Sequence, residues 1–173
     1  MFELLRFPMI QITSRPLIDV YLQRLEQQPW RFREVIFIVP FIEFQPGASQ
    51  TRWQRILALL RGQNVDTILV TREIGSEAHK MNVEIFRETV ENRNPLFLDE
   101  LHAKLYVATG LKKRSSICLL SSANLTEPAL QTNVETTFAL EPPYSKNEIA
   151  YIEKMRQLSE HIVRKALKRT KRT

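Results

Sequence analysis

Short apolar runs alternate along the chain with polar stretches that carry apolar residues at helical spacing. Residues 34–41 are a nearly continuous apolar run, which predicts a strand buried on both faces of a sheet, and residues 65–71, with Ile68, Leu69 and Val70 in succession, predict the next buried strand. Four apolar residues between them have the spacing of a helix that packs on a core, namely Trp53, Ile56, Leu57 and Leu60. This alternation predicts an α/β fold, with a mixed, mostly parallel β-sheet flanked by helices.

Further elements follow from the same reasoning. Helical spacing predicts helices over residues 14–28, about 76–91 and 145–166, while residues 2–12 could form an entry strand. Gly62 is placed to end the helix that contains Trp53. A chain of 173 residues is long enough to bury a core, and we expect residues 1–173 to form a single domain.

A hairpin is predicted in the second half of the chain. The apolar runs at residues 104–108 and 117–120 read as strands, and the polar, glycine-containing segment between them reads as their loop. Such a hairpin would bring His102 and Lys104 beside Ser122 and Asn124. Alternation over residues 133–138 predicts a third strand, which would carry Glu135.

These residue types suit attack on a phosphodiester. Negative charge on the non-bridging oxygens can be stabilised by an ammonium group and by amide or hydroxyl donors, which Lys104, Asn124 and Ser122 offer. A neutral imidazole such as that of His102 can attack phosphorus or carry a proton, provided that a partner sets its tautomer. Glu135 is the candidate for that partner.

The stretch resembles the signature of the phospholipase D superfamily, in which His-x-Lys is followed by Gly/Ser-Ser-x-Asn on the adjacent strand. The matching residues are His102, Ala103 and Lys104, followed by Ser121, Ser122, Ala123 and Asn124. Leu125, Thr126 and residues 133–135 are also similar to its small, single-motif nuclease branch. Two positions depart from the pattern: Thr109 stands where an acidic residue is usual, and Ser121 where a glycine is usual.

The resemblance implies a phospholipase D-like nuclease with two histidines in its reaction, one as nucleophile and one as general acid. Neither His79 nor His161 is followed two residues later by lysine, so the chain has one motif. The single-motif nucleases therefore imply a homodimer whose two copies of His102 share one site. Lys104 and Asn124 would hold the phosphate, Ser122 would assist and Glu135 would orient the imidazole, with no metal and no cofactor.

Positive charge is concentrated in two places. The formal net charge is +6, and residues 164–173 contain no acidic residue. We expect nucleic-acid contacts from this basic helix end and from the hairpin loop, through Lys112, Lys113, Arg114, Arg164, Lys165, Lys168, Arg169, Lys171 and Arg172. The alternative for both segments is a solvated surface, with the cations at the helix end favoured by the helix dipole.

Composition narrows the function classes. No apolar run is long enough to cross a bilayer and no signal-peptide core is seen, so we expect a cytoplasmic protein that binds no membrane. The single Cys118 lies in an apolar run and is expected to be buried rather than nucleophilic. The expected substrate is nucleic acid, with DNA preferred over RNA, and a recognition or helicase protein is a possible partner.

Two other functions stay open. The changes at Thr109 and Ser121 allow a catalytically decayed nucleic-acid-binding subunit of a restriction or defence system. The superfamily's name also allows a lipid phosphodiesterase, although the chain shows neither a signal segment nor a membrane-facing apolar stretch.

Overall fold

A computed structural model describes residues 17–44, 51–90, 93–112, 115–126, 129–130, 137–140 and 146–170 of the chain. The expected entry strand over residues 2–12 and the segment that carries Glu135 lie outside the described residues. No helix among the described residues is long and apolar enough to cross a bilayer.

The described strands form two sheets. In chain order they are β1 (Phe32–Ile38), β2 (Ile42–Glu43), β3 (Asp66–Thr71), β4 (Leu96–Phe97), β5 (Leu105–Gly110), β6 (Ile117–Ser121), β7 (Leu125–Thr126) and β8 (Thr137–Leu140). Six of them form the main sheet in the order β4-β3-β1-β5-β6-β8, and β2 pairs with β7 in a small second sheet.

The main sheet is mixed. Strands β4, β3 and β1 are parallel, whereas β5 is antiparallel to β1, β6 to β5 and β8 to β6. Strands β4, β3, β1 and β6 therefore point one way, and β5 and β8 the other. The predicted α/β class with a mixed sheet is confirmed, and its antiparallel part begins at β5.

Four described helices flank this sheet, namely α1 (Leu17–Gln27), α2 (Arg52–Gly62), α3 (Glu77–Thr89) and α4 (Lys146–Thr170). Successive strand residues point to opposite faces. In β1, Val35 and Phe37 join the apolar cluster that holds residues of α1, α2 and α3, while Ile36 and Ile38 join the cluster that holds residues of α4. The sheet is thus covered by three helices on one face and by α4 on the other.

Trp53 of α2 lies at the centre of the larger core, as predicted. Its side chain is fully buried, it stacks on Phe44 with ring centroids 6.2 Å apart, and its Nε1 donates to the carbonyl of Asn82 (3.0 Å). The end of α2 differs from the expectation: Gly62 is its last residue, and the left-handed conformation falls on Asn64, with φ 54°. Asparagine tolerates this region far better than most residues.

The main sheet has two edges that run across its strands, one at each end of the strands, and we name each edge by the residue of β1 that lies there. Ile38 pairs with both Val70 and Leu105, so the carboxyl ends of β1 and β3 and the amino end of β5 meet at one edge, which we call the Ile38 edge. At the opposite edge Phe32 pairs with Gly110, and we call it the Phe32 edge.

A buried histidine braces the Ile38 edge. The backbone N–H of Ile42 donates to Nδ1 of His79 (3.1 Å), and Nε2 of His79 lies 3.0 Å from the carbonyl oxygen of Arg72. Because a carbonyl oxygen only accepts, Nε2 carries a proton, and because Nδ1 accepts the hydrogen bond from Ile42, Nδ1 carries none. The ring is therefore neutral. The ring is fully buried, so both nitrogens are satisfied inside the protein.

We predict that Gly75→Ala destabilises the fold by about 1–3 kcal/mol, because the added methyl group overpacks the His79 ring. A Cβ at Gly75 would lie 2.2 Å from Cδ2 of His79. Gly62→Ala is the matched control, since nothing lies within 4 Å of its Cβ position and alanine favours a helix. Urea unfolding of both variants measures the difference. Equal stability of Gly75→Ala and the wild type would contradict this packing.

Candidate active site

The hairpin of β5 and β6 forms as predicted. Leu105 pairs with Leu120, and the next backbone hydrogen bond joins the N–H of Ser121 to the carbonyl of Lys104 (3.0 Å). The segments that precede β5 and follow β6, which carry the two halves of the motif, therefore lie side by side at the Ile38 edge.

His102 and Lys104 occupy the segment that leads into β5. The side chain of His102 is exposed and that of Lys104 is half-buried. Nζ of Lys104 donates to the carbonyl oxygen of His102 (3.2 Å). The ammonium group thus stays close to the histidine backbone, while the imidazole itself is open to solvent.

Ser122 and Asn124 lie in the turn that follows β6. The hydroxyl of Tyr106 donates to the carbonyl of Ala123 (2.7 Å) in a buried contact, and the N–H of Ala123 donates to Oγ of Ser121 (3.0 Å). Ser122 is exposed and Asn124 is half-buried. Oδ1 of Asn124 is buried and has no hydrogen-bond donor among the described residues. Tyr106 and Ser121 therefore hold the turn from both sides.

The small sheet anchors the far end of this turn. The N–H of Leu125 donates to the carbonyl of Phe41 (3.2 Å), and Ile42 pairs with Leu125 in the parallel contact of β2 with β7. Asn124 thus directly precedes a strand that is fixed to the carboxyl side of β1.

Both positions that depart from the family pattern have structural partners. The hydroxyl of Thr109 donates to Oε1 of Glu34 on the neighbouring strand (3.2 Å). The hydroxyl of Ser121 shares a hydrogen bond with that of Thr137 on β8 (2.7 Å), besides accepting from the turn. Both substitutions are therefore accommodated by hydrogen bonds inside the sheet.

Sequence patterns alone did not single out Arg72, which the structure places beside His102. Arg72 directly follows β3, and its Nε donates to the carbonyl of Leu101 (2.9 Å). Its Nη2 lies 3.3 Å from Nδ1 and 3.2 Å from Nε2 of His102. A polar residue directly after a buried parallel strand was the signal available, since ligands often bind at the carboxyl ends of such strands.

The described part of the hairpin loop lies at the other edge of the sheet, away from the motif. Strand β5 runs from the Ile38 edge to the Phe32 edge over six residues, and the five steps between them span about 17 Å at ~3.3 Å per step. Lys112 follows the end of that strand and His102 precedes its start, so the length of β5 lies between them in the chain. Lys113 and Arg114 lie outside the described residues.

The basic end of α4 reaches the Ile38 edge instead. Nζ of Lys165 lies 2.9 Å from Glu100, and Arg169 forms a second ion pair with the same carboxylate. Glu100 belongs to the turn that precedes His102. Arg164 lies 3.8 Å from Glu160, and Lys168 is exposed. Lys171 and Arg172 lie outside the described residues.

Cys118 is not part of this site. It is buried in the interior of β6, and burial raises the pKa of its thiol to about 12. The thiolate is the nucleophilic form, so Cys118 acts as a small core residue, as expected.

Among the solved structures that this fold resembles are two bacterial proteins. The crystal structure of Nuc, a phospholipase D family member from Salmonella typhimurium, has a TM-score of 0.53 at 14% sequence identity, with 80% of this chain and 83% of that chain covered. NucT from Helicobacter pylori has a TM-score of 0.58 at 12% identity, with 88% and 91% covered. The chain has the phospholipase D fold. At these identities the phospholipase D likeness establishes the fold alone, and the sequence matches no protein-family model and no curated protein.

We predict that Lys165→Gln raises the pKa of Glu100 toward its ordinary value of 4.5. The pKa is lowered mainly by the hydrogen bond from Lys165, with a further contribution from the charge of Arg169. Because the folded-state pKa is depressed, the contact stabilises the fold above about pH 4.5 and is lost as the pH falls through the lowered pKa. A carbon-13 NMR titration of the carboxyl group measures it. Arg164→Gln is the control, and an unchanged pKa in Lys165→Gln would contradict the contact.

Proposed function

We propose that the chain is a phosphodiesterase that cleaves nucleic acid, with DNA as the expected substrate, by histidine chemistry that requires no metal. The observation that supports the proposal is that the segment of His102 and Lys104 lies beside the segment that leads to Asn124, at the Ile38 edge of a phospholipase D fold. The likeness to Nuc supports it, because Nuc is a phospholipase D family member.

In the first step, a ring nitrogen of neutral His102 attacks phosphorus. A nitrogen–phosphorus bond forms, and the bond from phosphorus to the leaving oxygen breaks. A second, protonated imidazole gives its proton to that oxygen and becomes neutral. In the second step this neutral imidazole takes a proton from water as the water attacks phosphorus, and the bond to His102 breaks.

The second imidazole is proposed to be His102 of another copy of the chain. His79 cannot serve, since both of its ring nitrogens bond to backbone groups inside the protein. A homodimer with its two-fold axis at the Ile38 edge would bring two copies of His102 to one phosphate.

The remaining groups stabilise charge in this scheme. The ammonium of Lys104 and the side-chain amide of Asn124 would face the non-bridging oxygens, where negative charge develops. Ser122 is exposed in the same turn and would add a hydroxyl donor. Glu135, which lies outside the described residues, is proposed to orient the imidazole.

We predict that His102→Ala abolishes cleavage of plasmid and single-stranded DNA in excess EDTA while leaving the fold intact. His161→Ala is the matched control, because His161 is also exposed but carries no motif lysine. A subunit-mixing experiment distinguishes a shared site from independent sites. Equal amounts of wild-type and His102→Ala protein are unfolded together and refolded, and the activity is compared with that of the same total amount of wild-type protein. A shared site leaves about one quarter of the wild-type activity, because only dimers with two intact subunits work, whereas independent sites leave about one half.

Cleavage that survives in pure His102→Ala protein would refute the assignment. DNA binding by both proteins without cleavage by either would favour the decayed binding subunit instead. Equal loss of activity in His161→Ala would make His161 the second histidine and remove the reason for two copies of His102 at one phosphate.

The basic end of α4 is proposed to contact the nucleic-acid backbone. Arg164 and Lys168 are exposed there, and Lys165 and Arg169 bring the helix to the Ile38 edge through Glu100. Lys171 and Arg172, which lie outside the described residues, are proposed as nucleic-acid contacts from the sequence alone. Lys112 would have to contact DNA at the Phe32 edge, apart from the reacting phosphate. Lys113 and Arg114, which also lie outside the described residues, are likewise proposed as nucleic-acid contacts from the sequence alone.

A plot of log affinity against log salt concentration falls with increasing salt. We predict that Arg164→Gln combined with Lys168→Gln makes this slope less steep by about 1.8 for double-stranded DNA, or about 0.9 for each lost phosphate contact. Fluorescence anisotropy measures it with His102→Ala protein, so that the DNA stays intact. Lys80→Gln combined with Arg87→Gln removes the same charge from α3 on the opposite face. An unchanged slope in the α4 variant would refute the role of this helix end.

A further inference from the structure

Arg72 has a backbone that is fixed from two directions. Its carbonyl oxygen accepts from the buried His79 ring (3.0 Å), and its own N–H approaches the carbonyl of Pro40 (3.5 Å). Both contacts lie at the carboxyl ends of the central parallel strands. The backbone position from which the Arg72 side chain extends is therefore fixed by the core of the protein and not by a surface loop.

The guanidinium group is also held in place. Nε donates to the carbonyl of Leu101 (2.9 Å), and Cζ lies 5.5 Å from the centroid of the Phe41 ring. A cation at this distance from an aromatic ring is attracted to it. Together the two contacts direct the outer nitrogens of Arg72 to the exposed side of the Ile38 edge, beside His102.

The contact with His102 is not an ordinary hydrogen bond. The two ring nitrogens of an imidazole point away from each other, so one N–H cannot align with both. Nη2 of Arg72 lies at almost equal distances from them, 3.3 and 3.2 Å, and so rests against the ring between the two. The contact with His102 therefore uses only part of the hydrogen-bonding capacity of the guanidinium group.

The charge of Arg72 has no carboxylate partner among the described residues. Other arginines of the protein do have one, as Arg52 pairs with Asp19, Arg93 with Asp66 and Arg169 with Glu100. Arg72 is bonded instead to a backbone carbonyl, an aromatic face and an imidazole. A fixed and unneutralised guanidinium next to a candidate nucleophile is suited to an anion.

We infer that Arg72 binds a non-bridging oxygen of the phosphodiester that His102 attacks, an inference that rests on the proposed function. Lys104 supplies a point charge, whereas the planar guanidinium can offer two parallel N–H donors to one phosphate. Nη2 already lies within about one hydrogen-bond length of the imidazole, so a phosphate in contact with one group is in reach of the other. Arg72 therefore joins Lys104 and Asn124 as a phosphate-binding residue.

The test compares Arg72→Gln and Arg72→Lys with Arg93→Gln. Arg93 is the matched control, because it pairs with Asp66 at the opposite end of the same strand, β3. We expect Arg72→Gln to raise KM or lower kcat/KM for DNA by about 10- to 100-fold, the size expected for hydrogen bonds from a charged group. Arg72→Lys should recover part of this loss because it keeps the charge, and Arg93→Gln should match the wild type.

Binding of inorganic phosphate can be followed by phosphorus-31 NMR line widths and needs no turnover. It distinguishes direct contact of Arg72 with phosphate from a structural role through its hydrogen bond to the Leu101 carbonyl. We expect the wild type and Arg93→Gln to bind phosphate equally and Arg72→Gln to bind at least about 10-fold more weakly. Loss of kcat with unchanged phosphate affinity would reduce Arg72 to a structural residue and overturn the inference. So would the absence of phosphate binding to the wild type.

The two proposals can fail separately. Arg72-dependent phosphate binding without any DNA cleavage would keep the inference and remove the nuclease. Cleavage with the same kcat, KM and phosphate affinity in Arg72→Gln would keep the nuclease and remove the inference.

Discussion

The two hydrogen bonds of the His79 ring are what the arrangement of the candidate site depends on. One ring nitrogen accepts from Ile42, which begins the strand that pairs with β7 and so anchors the turn of Asn124. The other donates to Arg72, which contacts His102. Because the bond to Ile42 is buried, its loss would leave a backbone N–H unsatisfied in the interior, at a cost of about 1–3 kcal/mol. The two halves of the site are thus tied to one rigid group of α3.

The parts of this fold that arise from local periodicity could be predicted from sequence. Residues 65–71 predict a strand and β3 occupies Asp66–Thr71, while the apolar runs around the motif do form the β5 and β6 hairpin. The position of Lys112 follows from strand length and direction rather than from its closeness to the motif in sequence, since one strand carries the chain to the opposite edge. Neither Arg72 nor the pairing of Lys165 with Glu100 could be predicted, because both contacts join segments that are far apart in the chain.

Charge at the Ile38 edge is arranged in a way that favours an anion. Lys104 donates to a backbone carbonyl, and Arg72 to another, so neither contact neutralises the cation. Glu100, in the turn before His102, is neutralised by Lys165 and Arg169 rather than directed to the site. The edge therefore keeps two cations with no described carboxylate against them. Fixed cations of this kind stabilise developing negative charge without reorganisation during the reaction.

The departures at Thr109 and Ser121 bear on whether such a site is intact. Thr109 pairs with Glu34 near the Phe32 edge, about four strand residues, or ~13 Å, from the start of β5. A carboxylate is thus present beside Thr109, but it belongs to Glu34 of β1. It lies too far from His102 to contact a phosphate bound at that histidine. Ser121 uses its hydroxyl to bind Thr137 and the turn of Ala123. Both changes thus fall in the framework of the motif, whereas the groups that would meet phosphate are present, so the departures alone give no reason to prefer a decayed site.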